Sequence, residues 1–148
     1  MRILHIVHQY RPHYVGGTEI YTEKLARYQA AQGHDVAIFA PSPDPIGPPQ
    51  HALEDGIHVW RVPLGERGRG RVFLALHGEP ALSAALAPLL AGVDVVHVQH
   101  LMGLPLDLIA QIEAAGIPYV ITLHDYWFAC ANAQLITNYD ESVCAGPD

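Results

Sequence analysis

Short apolar runs alternate along the chain with longer segments in which apolar residues recur at helical spacing. The apolar runs cover residues 3–7, 36–40, 57–62, 93–99 and 118–123, and the run at 93–99 is dense in β-branched residues. Runs of this length and composition are typical of strands buried on both faces of a sheet. Strands that alternate with helices predict βαβ units. We therefore expect an α/β fold with a Rossmann-like open parallel sheet and helices on both faces.

Three segments carry the helical pattern. The first runs from Ile20 and is expected to stop at Gly33. Its apolar or neutral positions at helical spacing are Ile20, Tyr21, Leu25, Tyr28 and Gln32. Glu23, Lys24 and Arg27 are available to solvent. The second covers residues 72–90, with its main helix from about Pro80 and a further break at Pro88. The third covers residues 106–115 and ends at Gly116. Pro41 is expected to end the second strand and to begin a proline-rich loop, whereas no firm prediction is made after Tyr126.

The segment between the first strand and the first helix contains the pair Gly16-Gly17. Glycines at a helix N-terminus let a ligand approach the backbone, and the helix amides and dipole favour an anion such as a phosphate. A plain tight turn is the alternative. In open parallel sheets, ligands bind beyond the carboxyl ends of the strands. That rule places residues 8–17, residues 97–103 and the pair His124-Asp125 on one rim of the sheet.

Composition narrows the class of protein. The 148 residues fit about one domain, and the formal net charge is −7. An acidic chain without extended Lys/Arg clusters argues against nucleic-acid binding. The one basic cluster, Arg67 to Arg71, is expected to be a mobile loop, with contact to an anionic acceptor or a membrane surface as the alternative. No signal peptide and no run of 18 apolar residues is found, so a cytoplasmic location is expected, with peripheral membrane contact left open.

Several catalytic motifs are absent. The chain has no Gly-x-Gly-x-x-Gly, no Walker A sequence and no Gly-x-Ser-x-Gly elbow. His97, His100, His124 and Asp125 offer donor atoms for a metal, but residues three apart on a strand point to opposite faces. A hydrogen-bonded histidine within the strand is the alternative for His97. Two reduced thiols are expected for the cysteines at 130 and 144, with a disulfide or metal-bound lobe left open.

Four motifs in order carry a family resemblance. Residues 1–7 followed by 12–19 resemble the start of GT-B glycosyltransferases of the family 4 type, and residues 25–36 resemble that family's first helix and second strand. Residues 94–100 and 122–127 match two further blocks of the same family. The resemblance covers most of the chain. It implies the N-terminal, acceptor-side half of a two-domain enzyme, with the donor-binding C-terminal domain outside this chain.

The same resemblance implies an activity and roles for individual residues. Such enzymes transfer a sugar from a nucleotide-sugar donor with retention of configuration, need no metal or cofactor, and use small-molecule, glycan or lipid-linked acceptors. His124 would hydrogen-bond the transferred sugar, and Asp125 would sit at the acceptor end. Other residues implied to line the site are Gly16 and Gly17, facing the diphosphate or the acceptor, and Tyr14, His97 and His100 on the acceptor side. A second domain would have to supply the cationic pair for the diphosphate, so this chain alone is expected to be inactive.

Two other hypotheses stay open at this point. One is a metal-assisted hydrolase built on His97, His100, His124 and Asp125. The other is a non-catalytic α/β interaction module.

Overall fold

The computed structural model describes residues 1–66, 78–130, 133–137, 140 and 142–144. Its strands are β1 (Arg2–Ile6), β2 (Asp35–Ser42), β3 (Gln50–Glu54), β4 (Ile57–Pro63), β5 (Val95–Val98) and β6 (Tyr119–Ile121). They form one six-stranded sheet in the order β3-β4-β2-β1-β5-β6. Every neighbouring pair is parallel except β3 with β4. The predicted class is confirmed, with one antiparallel edge strand added.

Three helices and one 3-10 turn pack on this sheet. They are α1 (Gly17–Ala31), α2 (Pro80–Leu86), the 3-10 turn Ala87–Leu90 and α3 (Asp107–Ala114). The predicted start at Pro80 is confirmed, since a proline at the first helical position loses no hydrogen bond. The predicted break at Pro88 is also confirmed, because the 3-10 turn contains this residue. In the described part of the chain, no helix is long and apolar enough to cross a bilayer.

Alternation along the strands divides the core into two parts. On one face Leu4, Ile6 and Val98 pack with residues of α2 and α3, such as Leu86 and Leu108. On the other face lies a smaller cluster, composed of Val7, Tyr10, Ala26, Val36, Ile38, Ala40, Ile57 and Val59. Successive side chains of a strand point to opposite faces, so the sheet lies between α1 on one face and α2 and α3 on the other.

The predicted buried face of α1 is wrong. Ile20, Tyr21 and Tyr28 are 40%, 44% and 64% exposed, whereas the buried residues of α1 are Glu19, Thr22 and Ala26. The prediction assumed an apolar surface beneath the helix. Near Gln29 that surface is polar, and the Gln29 amide oxygen lies 2.7 Å from Nε2 of His5 in β1. Helical spacing therefore found the helix but not the side that it buries.

Two boundaries also differ from the sequence prediction. The first helix begins at Gly17, three residues before Ile20. The second strand continues through Pro41 to Ser42. Because β1 ends opposite Phe39, the last residues of β2 pair only with β4, where a missing N–H is tolerated.

The strand β3 was not predicted. It forms a hairpin with β4 through Asp55-Gly56, where both residues have positive φ, of 51° and 80°. Asp-Gly between two extended segments is a strong hairpin signal. The first of these segments, Gln50–Glu54, lacks β-branched residues and is largely exposed, so it carries no strand pattern of its own. The predictions for Arg67–Arg71 and for residues 72–77 lie outside the described residues.

Gly33 ends α1 in the left-handed conformation, with φ of +84°, as the sequence predicts. We expect Gly33→Ala to lower the free energy of unfolding by about 1 kcal/mol, because a Cβ is strained at positive φ. Urea denaturation measures this. The matched control is Gln32→Ala, one residue earlier at φ of −83° and exposed, where the change should stay within about 0.5 kcal/mol. Equal effects at the two positions would contradict the prediction.

Candidate functional site

The carboxyl ends of β1, β5 and β6 meet at one edge of the sheet, because these strands are neighbours and parallel. The residues that follow them come into contact there. The rings of His8 and His100 have centroids 4.5 Å apart, and His100 Nε2 lies 3.1 Å from Oδ2 of Asp125. We call His8, Gln99, His100, His124 and Asp125 the rim cluster.

Asp125 is held by two donors. The Trp127 amide donates to Oδ1 at 2.8 Å, and His100 Nδ1 accepts from the Met102 amide at 2.9 Å, which leaves Nε2 of His100 to donate to Oδ2. Burial alone would raise the pKa of Asp125, but these hydrogen bonds and the charges of His100 and His8 lower the pKa below its ordinary value. Asp125 is therefore an ionised carboxylate held in a fixed orientation at the rim.

His124 lies beside both the rim and helix α1. Its Nε2 is 3.0 Å from the Gln99 side-chain oxygen, and its ring meets the edge of the Tyr21 ring at a centroid distance of 5.0 Å. Burial, and then repulsion from His100, lowers the pKa of His124, while the charges of Asp125 and Glu19 oppose that shift. A histidine with a lowered pKa is neutral at pH 7, so one ring nitrogen donates and the other accepts.

His97 lies within the sheet. Its Nε2 is 2.7 Å from the hydroxyl of Thr122, and its ring centroid is 5.1 Å from that of His5. Burial, then repulsion from His124, lowers the pKa of His97. This is the hydrogen-bonded strand histidine that the sequence left as an alternative, and a contact between His97 and an acceptor stays a prediction.

The glycine pair forms the start of α1. Gly16 is the N-cap in extended conformation, without a side-chain hydrogen bond to the cap, and Gly17 is the first helical residue. A Cβ on Gly16 would lie 2.7 Å from Oε2 of Glu19, whereas a Cβ on Gly17 would meet nothing within 4 Å. Gly16 thus packs closely against the buried Glu19 carboxylate, which would have to move to admit a Cβ, and the open space beside Gly17 is compatible with the approach of a ligand.

Glu19 and Gln99 are the site residues that sequence reasoning missed. Glu19 is only 1% exposed, and its Oε1 has no hydrogen-bond partner among the described residues. Its position three residues after the N-cap is the capping-box position, which is the signal that marks it. Gln99 is fully buried and contacts both His5 and His124. Gln99 lies in the family-like block at residues 94–100, but its sequence position does not indicate its contacts, because these depend on the neighbouring strands.

Tyr14 lies in the loop between β1 and α1, two residues before Gly16. It is 38% exposed and lines a small cleft of about 50 Å³ together with His8, Gln9, Ser42 and Gly65. The predicted place of Tyr14 on the acceptor wall is compatible with this cleft and stays a prediction.

The metal hypothesis required His97, His100, His124 and Asp125 to converge. Only His100 and Asp125 bond to each other, while His97 bonds to Thr122 and His124 to Gln99. Among the residues that the structure describes, no group of three or more His, Cys, Asp or Glu side chains is placed to hold a metal ion. The hydrolase hypothesis therefore loses the arrangement on which it depended.

Residues 16–142 match the sequence family described as the glycosyl transferase 4-like domain. The chain belongs to this family. D-inositol 3-phosphate glycosyltransferase 1 of Catenulispora acidiphila is 35% identical over 113 residues, which are 74% of this chain and 26% of that protein. The chain thus spans about a quarter of the length of this relative.

Two solved structures of other proteins have the same fold as this chain. Sucrose-phosphate synthase from Thermosynechococcus elongatus superposes with a TM-score of 0.65 at 22% identity, over 90% of this chain and 36% of that one. The trehalose-6-phosphate structure from E. coli bound with UDP-2-fluoro glucose superposes with a TM-score of 0.53 at 18% identity, over 84% and 33% of the two chains. The resemblance to the N-terminal domain of family 4 GT-B glycosyltransferases is confirmed.

The close packing at Gly16 gives a matched pair of substitutions. Gly16→Ala should lower the free energy of unfolding by about 1–3 kcal/mol, since its Cβ forces the buried Glu19 carboxylate to move. Gly17→Ala should be neutral or stabilising, because alanine favours the helix and meets no neighbour. Urea denaturation of both variants measures the difference. Equal stability of the two would show that Gly16 is not required by packing.

The buried histidine His5 should make stability depend on pH. Burial lowers the pKa of His5 to about 4 from 6.5, so between these values the unfolded chain binds a proton that the folded chain does not. Stability contributed in this way rises with pH across the window, by about 3 kcal/mol in total for a shift of this size. His5→Gln should reduce the slope of the unfolding free energy against pH by the amount that corresponds to about one bound proton.

The control for this experiment is Gln29→Met. It removes the hydrogen bond between Gln29 and His5 but keeps the titrating ring. The pH slope should persist in this variant, because loss of that bond lowers the pKa of His5 further. An unchanged slope in His5→Gln would contradict the assignment.

Proposed function

We propose that this chain is the acceptor-side, N-terminal domain of a retaining glycosyltransferase, which transfers a sugar from a nucleotide-sugar donor. The observation that carries the proposal is the rim of the sheet, where neutral His124 contacts Tyr21 of α1 and ionised Asp125 is held by His100. Membership of the glycosyl transferase 4-like family supports it.

Each part of the rim suits one demand of the reaction. A departing nucleoside diphosphate gains negative charge as the glycosidic bond breaks, and amides at a helix N-terminus stabilise such charge without moving. We assign this role to the backbone at Gly16 and Gly17. His124 hydrogen-bonds a hydroxyl of the transferred sugar. Asp125, oriented by His100, accepts a hydrogen bond at the acceptor end, with Tyr14 further along the same wall.

The relatives suggest the classes of donor and acceptor. One relative is named for D-inositol 3-phosphate, and one structural neighbour is bound with UDP-2-fluoro glucose. We propose a uridine-diphosphate sugar as donor and a phosphorylated polyol or sugar as acceptor. Because the chain spans 26% and 36% of two relatives, we propose that a C-terminal donor-binding domain completes the enzyme. The cytoplasmic location and any peripheral membrane contact stay predictions.

The isolated chain should not transfer sugar. Incubated with UDP-glucose and inositol 3-phosphate, it should release no UDP above the uncatalysed rate, because the described rim cluster contains no lysine or arginine to bind the diphosphate. A coupled assay for UDP measures this. Steady turnover by the isolated chain would contradict the proposal that a second domain is needed.

The positive control joins this chain to the donor-binding domain of a family member. Turnover is expected there, and His124→Ala should lower kcat by about 10-fold, since a hydrogen bond between a neutral ring and a hydroxyl is worth about 1 kcal/mol. Exposed Tyr28→Ala, on the outer side of α1, serves as the matched control and should leave kcat unchanged. If His124→Ala keeps full kcat, the assigned role of His124 is wrong.

A further inference from the structure

We propose that a hydrogen-bonded series of Gln29, His5, Gln99 and His124 fixes which ring nitrogen of His124 carries the proton and leaves Nδ1 of His124 as a hydrogen-bond acceptor. Gln99, His5 and Gln29 are thereby positioning residues. That Nδ1 accepts from a sugar hydroxyl rests on the function proposed above, whereas the protonation pattern itself does not.

Two of the four side chains belong to named elements and two to the loops that follow β5 and β6, and they are hydrogen-bonded in sequence. Gln29 lies on α1, His5 on β1, Gln99 just after β5 and His124 just after β6. Three contacts join them: His5 Nε2 to Gln29 Oε1 at 2.7 Å, Gln99 Nε2 to His5 Nδ1 at 3.0 Å, and His124 Nε2 to Gln99 Oε1 at 3.0 Å. We call this set the His–Gln series.

The chemistry of each contact gives the series a direction. The carbonyl oxygen of Gln29 can only accept, so Nε2 of His5 carries a proton. Burial keeps His5 neutral, with a pKa of about 4, so Nδ1 of His5 has a lone pair and accepts from the Gln99 amide group. The Gln99 oxygen then faces His124 and accepts from Nε2. In neutral His124 the proton is therefore on Nε2, and Nδ1 is the acceptor.

Two features make this direction more than a local arrangement. One amide lies on α1 and the other in the loop after β5, and both are oriented for the same direction of donation. His5 and Gln99 are each 0% exposed, so water does not compete for their polar atoms. If one of these groups were turned round, a donor would face a donor or an acceptor would face an acceptor. The hydrogen bond would be lost, at a cost of about 1–3 kcal/mol. Reversal of one link would therefore require reversal of all three.

The first test is the protonation pattern of the histidine rings in the unaltered chain. Long-range ¹H–¹⁵N correlation spectra at pH 7 distinguish protonated from unprotonated ring nitrogens. We expect a single form for both His5 and His124, with Nε2 protonated and Nδ1 unprotonated. A proton on Nδ1 of His124, or averaging between the two forms, would overturn the proposal. The measurement needs no substrate and no variant.

A pair of variants at Gln99 tests whether the series sets this pattern. Gln99→Met is close in size but removes the acceptor, so the ring nitrogens of His124 should average between the two forms. Gln99→Glu keeps an acceptor for His124, which should retain protonated Nε2. The same carboxylate offers His5 Nδ1 no donor, so His5 should take up a proton and become positively charged. His58, which contacts His51 rather than a member of the series, is the internal reference and should not change.

The outcomes separate this proposal from the proposed function. If Gln99→Met folds, as judged by circular dichroism, and His124 keeps the pattern of the unaltered chain, Gln99 does not position His124. If Gln99→Met does not fold, the Gln99→Glu spectrum and that of the unaltered chain still decide. The predicted pattern together with an undiminished kcat in His124→Ala would leave the His–Gln series standing and remove the assigned role of His124 in sugar transfer.

Discussion

The parallel register of β1, β5 and β6 is the constraint on which the site depends. His5 lies directly beside His97, and Val98 beside Ile121, so the three strands end together and their following residues meet at one edge. Apolar residues on the opposite face, such as Ile6 and Val98, are fully buried and hold this register. A slip by one residue would turn His5 toward the apolar core. The hydrophobic core thus determines where the polar site forms.

The alternation of side chains along β1 also explains why helix α1 buries small and polar residues rather than its large apolar ones. Beneath its C-terminal half the sheet presents His5, whose hydrogen bond to Gln29 compensates the loss of water around both groups. Small residues such as Thr22 and Ala26 let the helix approach closely, so its larger side chains, Ile20 and Tyr28 among them, face outward. Helix α1 therefore contributes less to the apolar core than its composition suggests. It supports the site, because it supplies Gln29 to the His–Gln series.

Strands, helix ends and the common rim could be predicted because each depends on local pattern. Apolar runs give the parallel strands, and Gly33 gives the end of α1. The edge strand β3 could not be predicted from its own residues, since pairing with β4 stabilises it. The site was predictable only in part: family-like motifs contain Gln99, His124 and Asp125, but nothing local indicates the contacts that Gln99 makes. Its role arises from contacts with residues 94 positions earlier and 25 positions later in the chain.

The charges at the rim indicate which parts of a substrate the rim suits under the function proposed above. In the part of the chain that the structure describes, Arg2, Arg11, Arg27 and Arg61 are each ion-paired with a carboxylate. The rim cluster itself carries an ionised Asp125 and a neutral His124. A diphosphate brought here would find partial positive charge at a helix N-terminus but no arginine left unpaired to balance its charge. Such a surface suits hydroxyl groups of sugars and polyols, which need donors and acceptors rather than cations. Under the proposed function, binding of the diphosphate therefore depends on cations other than these four arginines.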